Sequence, residues 1–378
     1  MKLKFAHRYL LATVLFNVSF LMSLTVNANE YDSEYFNSIE HQQLMEASEK
    51  ESDLLIYSNI AEYNWSKILD AFSAKYPWMR VNIQTLDMGP SAVFERYYAE
   101  RSVNQKTADL IVTGSPDSWL RFVKKDGLLP YQSPLAAEYP QWSKPKKGLY
   151  TFSTDPMIMI YNKILLPENE RPASLVDLMS WSSNPKRVNK IATYNADSHA
   201  FGHAIHWFTN KFFKEKNKDN VLYETLGSIS RLENGGAIMV DKVITGEYLA
   251  CYFVSGITVL PKMKQRGRNK ILGWNLIKDG TPVFLRGMGV TQQARNPATA
   301  KLMLNYLLTH DGQVSVGKGG LTPYRESVTS AEVPYFTYTD IANEIGEENI
   351  IRVHYDSSDE SEKEAFIDSW KQDYRIKN

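Results

Sequence analysis

The 378-residue sequence predicts an α/β protein built on open mixed sheets flanked by helices. Three observations carry that prediction. Short apolar runs of strand length alternate with stretches whose apolar residues recur at helical spacing. Polar turn residues close each run. No internal repeat or long low-complexity tract interrupts the alternation, which favours an open α/β sheet over a sandwich or a bundle.

The elements follow in order. Lys2, Lys4 and Arg8 form a basic segment, Tyr9 to Val26 an apolar one, and Val26-Asn27-Ala28 supplies small residues for cleavage. Residues 1–28 therefore read as a secretory signal peptide cut after Ala28. The apolar run is at the short limit for a span of roughly 20 residues, and no basic cluster flanks it on the far side. No other stretch is apolar enough to cross a bilayer, so a soluble, exported, periplasmic protein is expected. Residues 29–49 are polar and acidic, a tether or a peripheral helix. "DLLIYSN" is then a buried strand with its loop, "NWSKILDAFSAKYP" spaces Trp65, Ile68, Leu69 and Phe72 as a helix stopping at Pro77, and "VNIQTL" completes a β-α-β unit. "GPSAVFERYYAER" is another helix with Ser91 near its start, and "ADLIVTGS" is a buried strand running into the turn "GSPDSW". "MIMIYN", "KIATYN" and "YLACYFV" continue the strands. "NPATAKLMLNYLLTHDGQ" is a helix with Pro297 in its first turn, followed by the turn-rich "GGLTPYRES". The tail, with Ala365, Phe366, Trp370 and Tyr374 near helical spacing behind the acidic "DSSDESE", reads as a helix packed on a lobe.

Composition narrows the partners. Cys251 is the only cysteine, so no internal disulfide forms, and it lies too far from the leader to carry a lipid. Acidic and basic residues number 43 each, and removal of the three leader cations leaves about −3. That balance argues against nucleic acid. The remaining length suffices for two lobes.

The series "LLIYSN", "TLDMGPSAVFERYYAE", "ADLIVTGSPDSWLRFVKKDGLLPYQSP", "MIMIYNKILLPENERPASLVDLM" and "GVTQQARNPATAKLMLNYLLTHDGQ" resembles, in that order, the periplasmic substrate-binding proteins of ABC transporters, in the branch that binds ferric iron, phosphonates, hexose phosphates and phosphoglycerates. The resemblance runs over roughly residues 50 to 328. It implies a two-lobed periplasmic-binding-protein type II fold with a two-strand hinge and a ligand clamped between the lobes. The implied first lobe is residues 50–155 with 287–378, including the carboxy-terminal helices, and the second is 156–286; the hinges are "STDPMI" and "TPVFLR". It further implies a monomer without enzymatic activity or cofactor, delivering a small-molecule solute to an ABC permease in the inner membrane.

In open α/β sheets ligands sit beyond the carboxyl ends of the strands, often at helix starts whose free N–H groups favour anions. Four segments meet that description: Ser58, Asn59 and Glu62; Gly89 and Ser91; Ser115 and Asp117; and Asp197, Ser198 and His199. Each brings hydroxyls, amides or bare backbone, chemistry suited to an oxyanion, although such residues also serve as ordinary helix caps. Arg286 closes "TPVFLR" beside the implied hinge, where it could fork onto a phosphate or carboxylate; Tyr324 and Arg325 are a weaker pair. Tyr252 follows the strand that in iron-binding relatives delivers adjacent tyrosines, but here Phe253 takes the second place, which counts against a tyrosine-pair ferric site.

"TYNADSHAFGHAIHWF" carries three histidines. At about 100° per residue His199, His203 and His206 fall on one stripe, a polar face opposite Phe201, Ile205 and Phe208. A metal reading would use Glu62, His199 and Tyr252. A third reading has the receptor serving a sensor kinase. A hydrolase built on Asp197, Ser198 and His199 ranks last, because consecutive residues cannot line up as a triad and no G-x-S-x-G elbow occurs.

Overall fold

A computed structural model describes residues 27–85, 90–216, 219–355 and 360–376. The chain opens with α1 (Asn27–Phe36) and α2 (Ile39–Glu51). It continues through β1 (Asp53–Ser58), α3 (Glu62–Lys75), β2 (Arg80–Thr85), α4 (Ala92–Ser102), β3 (Leu110–Thr113) and α5 (Pro116–Lys124). After the long strand β4 (Tyr150–Asn162) come α6 (Leu175–Ser180), β5 (Ile191–Tyr194), α7 (Ala200–Glu215), α8 (Asp219–Ile229) and β6 (Ser230–Glu233). Then follow α9 (Gly236–Thr245), β7 (Ala250–Ser255), α10 (Gly256–Met263), α11 (Arg268–Ile271) and β8 (Leu272–Asn275). A second long strand, β9 (Thr281–Val290), leads to α12 (Pro297–Leu308), α13 (His310–Lys318), α14 (Tyr338–Ile345), β10 (Ile350–Val353) and α15 (Glu360–Asp373). None of the described helices is long and apolar enough to cross a membrane. The expected signal peptide lies almost wholly outside the described residues; only Asn27 and Ala28 are within them, at the start of α1.

The strand order is β2-β1-β3-β9-β4-β7-β5-β6, with β10 beside β9 and β8 beside β4. β4 changes partner at Pro156: Tyr150 to Pro156 run antiparallel to β9, and Met157 to Tyr161 run antiparallel to β7. A proline lacks the N–H of a ladder donor and suits a point where pairing is handed over. β9 pairs with β4 over Val283–Met288 and with β3 over Gly287–Val290. The two stretches expected as hinges thus lie inside β4 and β9, which join two lobes, each an open sheet flanked by helices. β10 adds a feature the sequence did not suggest, a strand parallel to β9 along Thr281–Phe284.

Apolar spacing explains the packing. Trp65, Ile68 and Phe72 are wholly buried on one face of α3, worth roughly 1.5–3 kcal/mol each in transfer terms. The polar amino-terminal segment is docked: the Glu51 carboxylate accepts the Ala298 and Thr299 N–H groups at 3.1 and 2.8 Å, capping α12, and Asp32 pairs with Arg325 at 3.0 Å. Arg325 and Tyr324 are therefore internal ties, and the Tyr324 hydroxyl donates to the Thr151 carbonyl.

The tail corrects one grouping. α15 packs on α7 and α8 of the second lobe, although residues 287–378 were expected to join the first. Phe366, Trp370 and Tyr374 are the buried face, and the histidine stripe of α7 is what they cover: His203 lies 6.0 Å from Phe366, and His206 5.4 Å from Trp370. The stripe is a helix-docking seam instead of a solvated face. His206 is wholly buried, and burial drives its imidazole down to about 3.

Candidate functional site

The strand ends of the two lobes meet at the hinge. Arg286 of β9 is 4% exposed, and its Nη2 donates to Asp155 Oδ2 of β4 at 2.6 Å. Ser255, at the end of β7, donates to the same carboxylate oxygen at 2.7 Å, and the Ile257 N–H at the start of α10 approaches Oδ1 at 3.4 Å. Arg286 Nε has no hydrogen-bond partner among the described residues. Gly114, just past β3, lets the arginine abut the first lobe: a Cβ there would come within 3.2 Å of Arg286 Nη1 and of the Phe284 ring. Two phenols feel the charge of the pair. Burial raises the Tyr194 phenol, with Asp155 adding and Arg286 opposing. Desolvation raises the Tyr63 phenol, in the first turn of α3, with Arg286 opposing and Asp155 adding.

On the first lobe, Asn59 knits two strand ends together. Its Oδ1 lies 3.0 Å from the Thr113 hydroxyl and 3.3 Å from the Gly114 N–H, and the same hydroxyl is 2.8 Å from the Pro90 carbonyl. Ser91 and Ser115 occupy the N-cap positions of α4 and α5, yet neither makes a side-chain cap bond. The Ser115 hydroxyl donates instead to Ser118 at 2.7 Å. Simple capping, the alternative explanation for these two serines, is therefore not their role. His199 does cap: its Nδ1 accepts the Gly202 N–H at 3.2 Å, its ring stacks on Tyr194, and burial lowers its pKa. Around it, Asn195 Oδ1 accepts the Asp197 and Ser198 N–H groups, and the Ser198 hydroxyl donates to Asn234 at 3.0 Å.

Several expected residues lie elsewhere. Ser58 is fully buried, its hydroxyl oxygen accepting from the Ile60 N–H at 3.0 Å and the Trp65 indole at 3.3 Å, so it fixes its own loop. Tyr252 is wholly buried and shares a 2.6 Å hydrogen bond with Tyr374 and a 3.2 Å one with Ser230. The reason is local: the β4–β7 register slips beside it, and Phe253 adopts φ +63°, the mark of a bulge that re-aims side chains. The alternative metal set of Glu62, His199 and Tyr252 is consequently not assembled, and no cluster of three metal-ligating His, Cys, Asp or Glu occurs among the described residues. Glu62 is exposed in the first turn of α3. Asp117 and Asp197 are engaged by Lys363 and Lys371 of α15, at 3.0 and 2.9 Å. Gly89 lies outside the described residues.

Sequence reasoning missed Asp155, Tyr63, Tyr194 and Lys363. Asp155 had a signal, a lone carboxylate inside an apolar strand directly before proline. Surface hollows occur away from these strand ends; one of about 670 Å³, lined by Lys144, Lys146 and Lys147, lies beside the start of β4 and holds none of the strand-end groups. The arrangement at the hinge offers a buried guanidinium, short hydroxyls and backbone at helix starts, chemistry for holding a small polar molecule.

Residues 57–314 match the model of a family described as bacterial extracellular solute-binding protein. No curated protein matches the sequence. Among solved structures, the fold is similar to the substrate-binding protein of an ABC transporter from Agrobacterium tumefaciens, with TM-score 0.72, 18% identity, and 86% of this chain and 94% of that one covered. It is similar also to iron-bound HitA from Pseudomonas aeruginosa, with TM-score 0.63, 16% identity and coverage of 84% and 99%. A third is AfuA from Actinobacillus pleuropneumoniae with fructose-6-phosphate bound, with TM-score 0.63, 18% identity and coverage of 86% and 99%.

Proposed function

Because this chain belongs to the bacterial extracellular solute-binding protein family, we propose that it captures a small anionic solute between its lobes and delivers it to the permease of an ABC transporter. The observation that carries the anionic reading is Arg286, 4% exposed at the hinge, with Nη2 held by Asp155 and Nε unpaired. A buried donor without a partner costs about 1–3 kcal/mol, and an oxyanion reaching the Nε edge of the guanidinium would recover that cost. Ser91, not consumed by capping, is the neutral donor, and Asn59 holds the strand-end loops together. Asp155 keeps the guanidinium aimed and leaves the empty pair near neutrality, so that the solute supplies the extra charge. A bound fructose-6-phosphate in one structural neighbour supports the same solute class. Iron in another favours a metal less here, because the Tyr252 hydroxyl is spent on Tyr374 and Ser230. The protein works as a monomer in the periplasm after cleavage behind Ala28.

The test is thermal shift of residues 29–378, unfolded and refolded to strip carried-over ligand, against sugar phosphates, phosphonates, phosphoglycerates, dicarboxylates, and ferric and divalent metals. A ligand at about 100 times its Kd adds about 2.7 kcal/mol to the folded state. A hit among the organic anions, lost in Arg286→Ala and weakened in Ser91→Ala, is the expected result. A hit confined to metals sinks the anionic reading.

A further inference from the structure

Residues from β10 through α15 attach to both lobes, and we infer that they form a third connection between them, latched by Lys363 on Asp117, which restrains opening of the crevice. The segment lies beyond the family match, which ends at residue 314. β10 runs beside β9 in the hinge region. Tyr355, two residues past it, is buried in the first lobe's cluster with Trp119 and Leu285. Its hydroxyl stands so close to Gly287 that a Cβ there would meet it at 2.5 Å. The chain then reaches the second lobe, where α15 buries Phe366, Trp370 and Tyr374 against α7 and α8. The Tyr374 hydroxyl bond to Tyr252 of β7 fixes its far end.

α15 therefore moves with the second lobe. From that body Lys363, its side chain only 8% exposed, reaches across to Asp117 Oδ1 at 3.0 Å in the first turn of α5. Lys371, eight residues or about 12 Å of helix further on, holds Asp197 on the second lobe itself. One lysine thus anchors the helix at home while the other grips the opposite lobe. Asp117 sits where the helix dipole already favours a carboxylate. Opening must separate the ion pair and draw the buried Lys363 stem into solvent. Restraining the ligand-free open state lowers the reorganisation needed to bind, at the expense of access. This rests on the proposed solute crevice for what is restrained, and on the tail contacts alone for the restraint.

Spin labels at Glu95→Cys on α4 and Lys186→Cys in the second lobe, both exposed positions, report the interlobe distance, with the native Cys251 thiol wholly buried. Pulsed dipolar spectroscopy is run on the ligand-free protein and on Lys363→Ala, Lys363→Arg and Asp117→Asn in that background, with circular dichroism as the check on folding. The expected result is a long-distance population raised at least about twofold in Lys363→Ala and in Asp117→Asn, and restored toward the parent in Lys363→Arg. Superimposable distributions in all four proteins overturn the latch. So does a change in Lys363→Ala that Asp117→Asn fails to reproduce. No solute is present, so a failed solute panel leaves this result standing, and an unchanged distance distribution leaves the solute reading standing.

Discussion

A guanidinium and a carboxylate 2.6 Å apart, with side chains 5% and 0% exposed, cannot be treated as two separable residues. Removing Arg286 leaves the Asp155 charge buried with only the Ser255 hydroxyl and a distant N–H for company. Arg286→Ala should therefore cost about 3–5 kcal/mol of unfolding free energy, whereas the Asp155→Asn, Arg286→Met double variant should lose markedly less. Urea denaturation of the three proteins reads this directly, and a double variant as unstable as the single would show that packing, not charge, holds the hinge. His206 supplies a pH signature. Its folded pKa is about 3, against about 6.5 in the unfolded chain, so the unfolded state binds the extra proton. Its contribution to stability is fully present above pH about 6.5 and is lost as pH falls toward 3, by at most about 1.4 kcal/mol per unit. His206→Gln keeps a donor for the Tyr194 carbonyl and should give a shallower acid limb; identical limbs would exclude the buried imidazole as the cause. Positions at strand ends and helix starts were legible in the sequence where the backbone decides, as at Asn59, Ser91 and Ser115. Side-chain roles were illegible where a distant segment decides, as at Tyr252 and His206, whose surroundings come from a helix more than 100 residues away.

At the scale of elements, α15 was readable as an amphipathic helix from Phe366, Trp370 and Tyr374, but nothing in its own pattern specified the surface it covers. Its docking buries His206 and half-covers His203. Trp370 stacks on Tyr374 at 4.4 Å and is 1% exposed, so Trp370→Ala should cost about 3–5 kcal/mol, with loss of near-UV ellipticity. A loss below about 1 kcal/mol would mean that α15 rests on the second lobe without stabilising it. Strands β1, β3, β5 and β7 were each visible as apolar runs ending in polar turns. β10 was not, because four residues, "IIRV", within a mainly helical stretch give no periodicity to separate strand from helix. The same shortness hides the third strand of the hinge region. The polar segment before β1 was ambiguous for the opposite reason: α2 docks through Glu51 capping α12, a contact that leaves no apolar stripe to read.

For the whole molecule, the question is whether two lobes unfold as two units. One contiguous buried cluster runs from Trp65 and Phe72 of the first lobe, through Phe152, Met157 and Phe284 of the hinge strands, to Met239, Val254 and Trp370 of the second. β4 belongs to both sheets and β9 is its partner over Val283–Met288, so neither lobe can lose its sheet without stripping partners from the other. The tail adds a further tie, with Tyr355 in one lobe and α15 on the other. Two-lobed chains joined only by flexible linkers tend to melt in steps, because little buried surface crosses the boundary. Here the boundary is itself core. Differential scanning calorimetry should therefore show a single transition whose calorimetric and van't Hoff enthalpies agree. Two resolved transitions, or a calorimetric enthalpy well above the van't Hoff value, would show that the hinge strands decouple on heating. In that event the restraint on the crevice would rest on the Lys363 contact alone, and Lys363→Ala should widen the gap between the transitions.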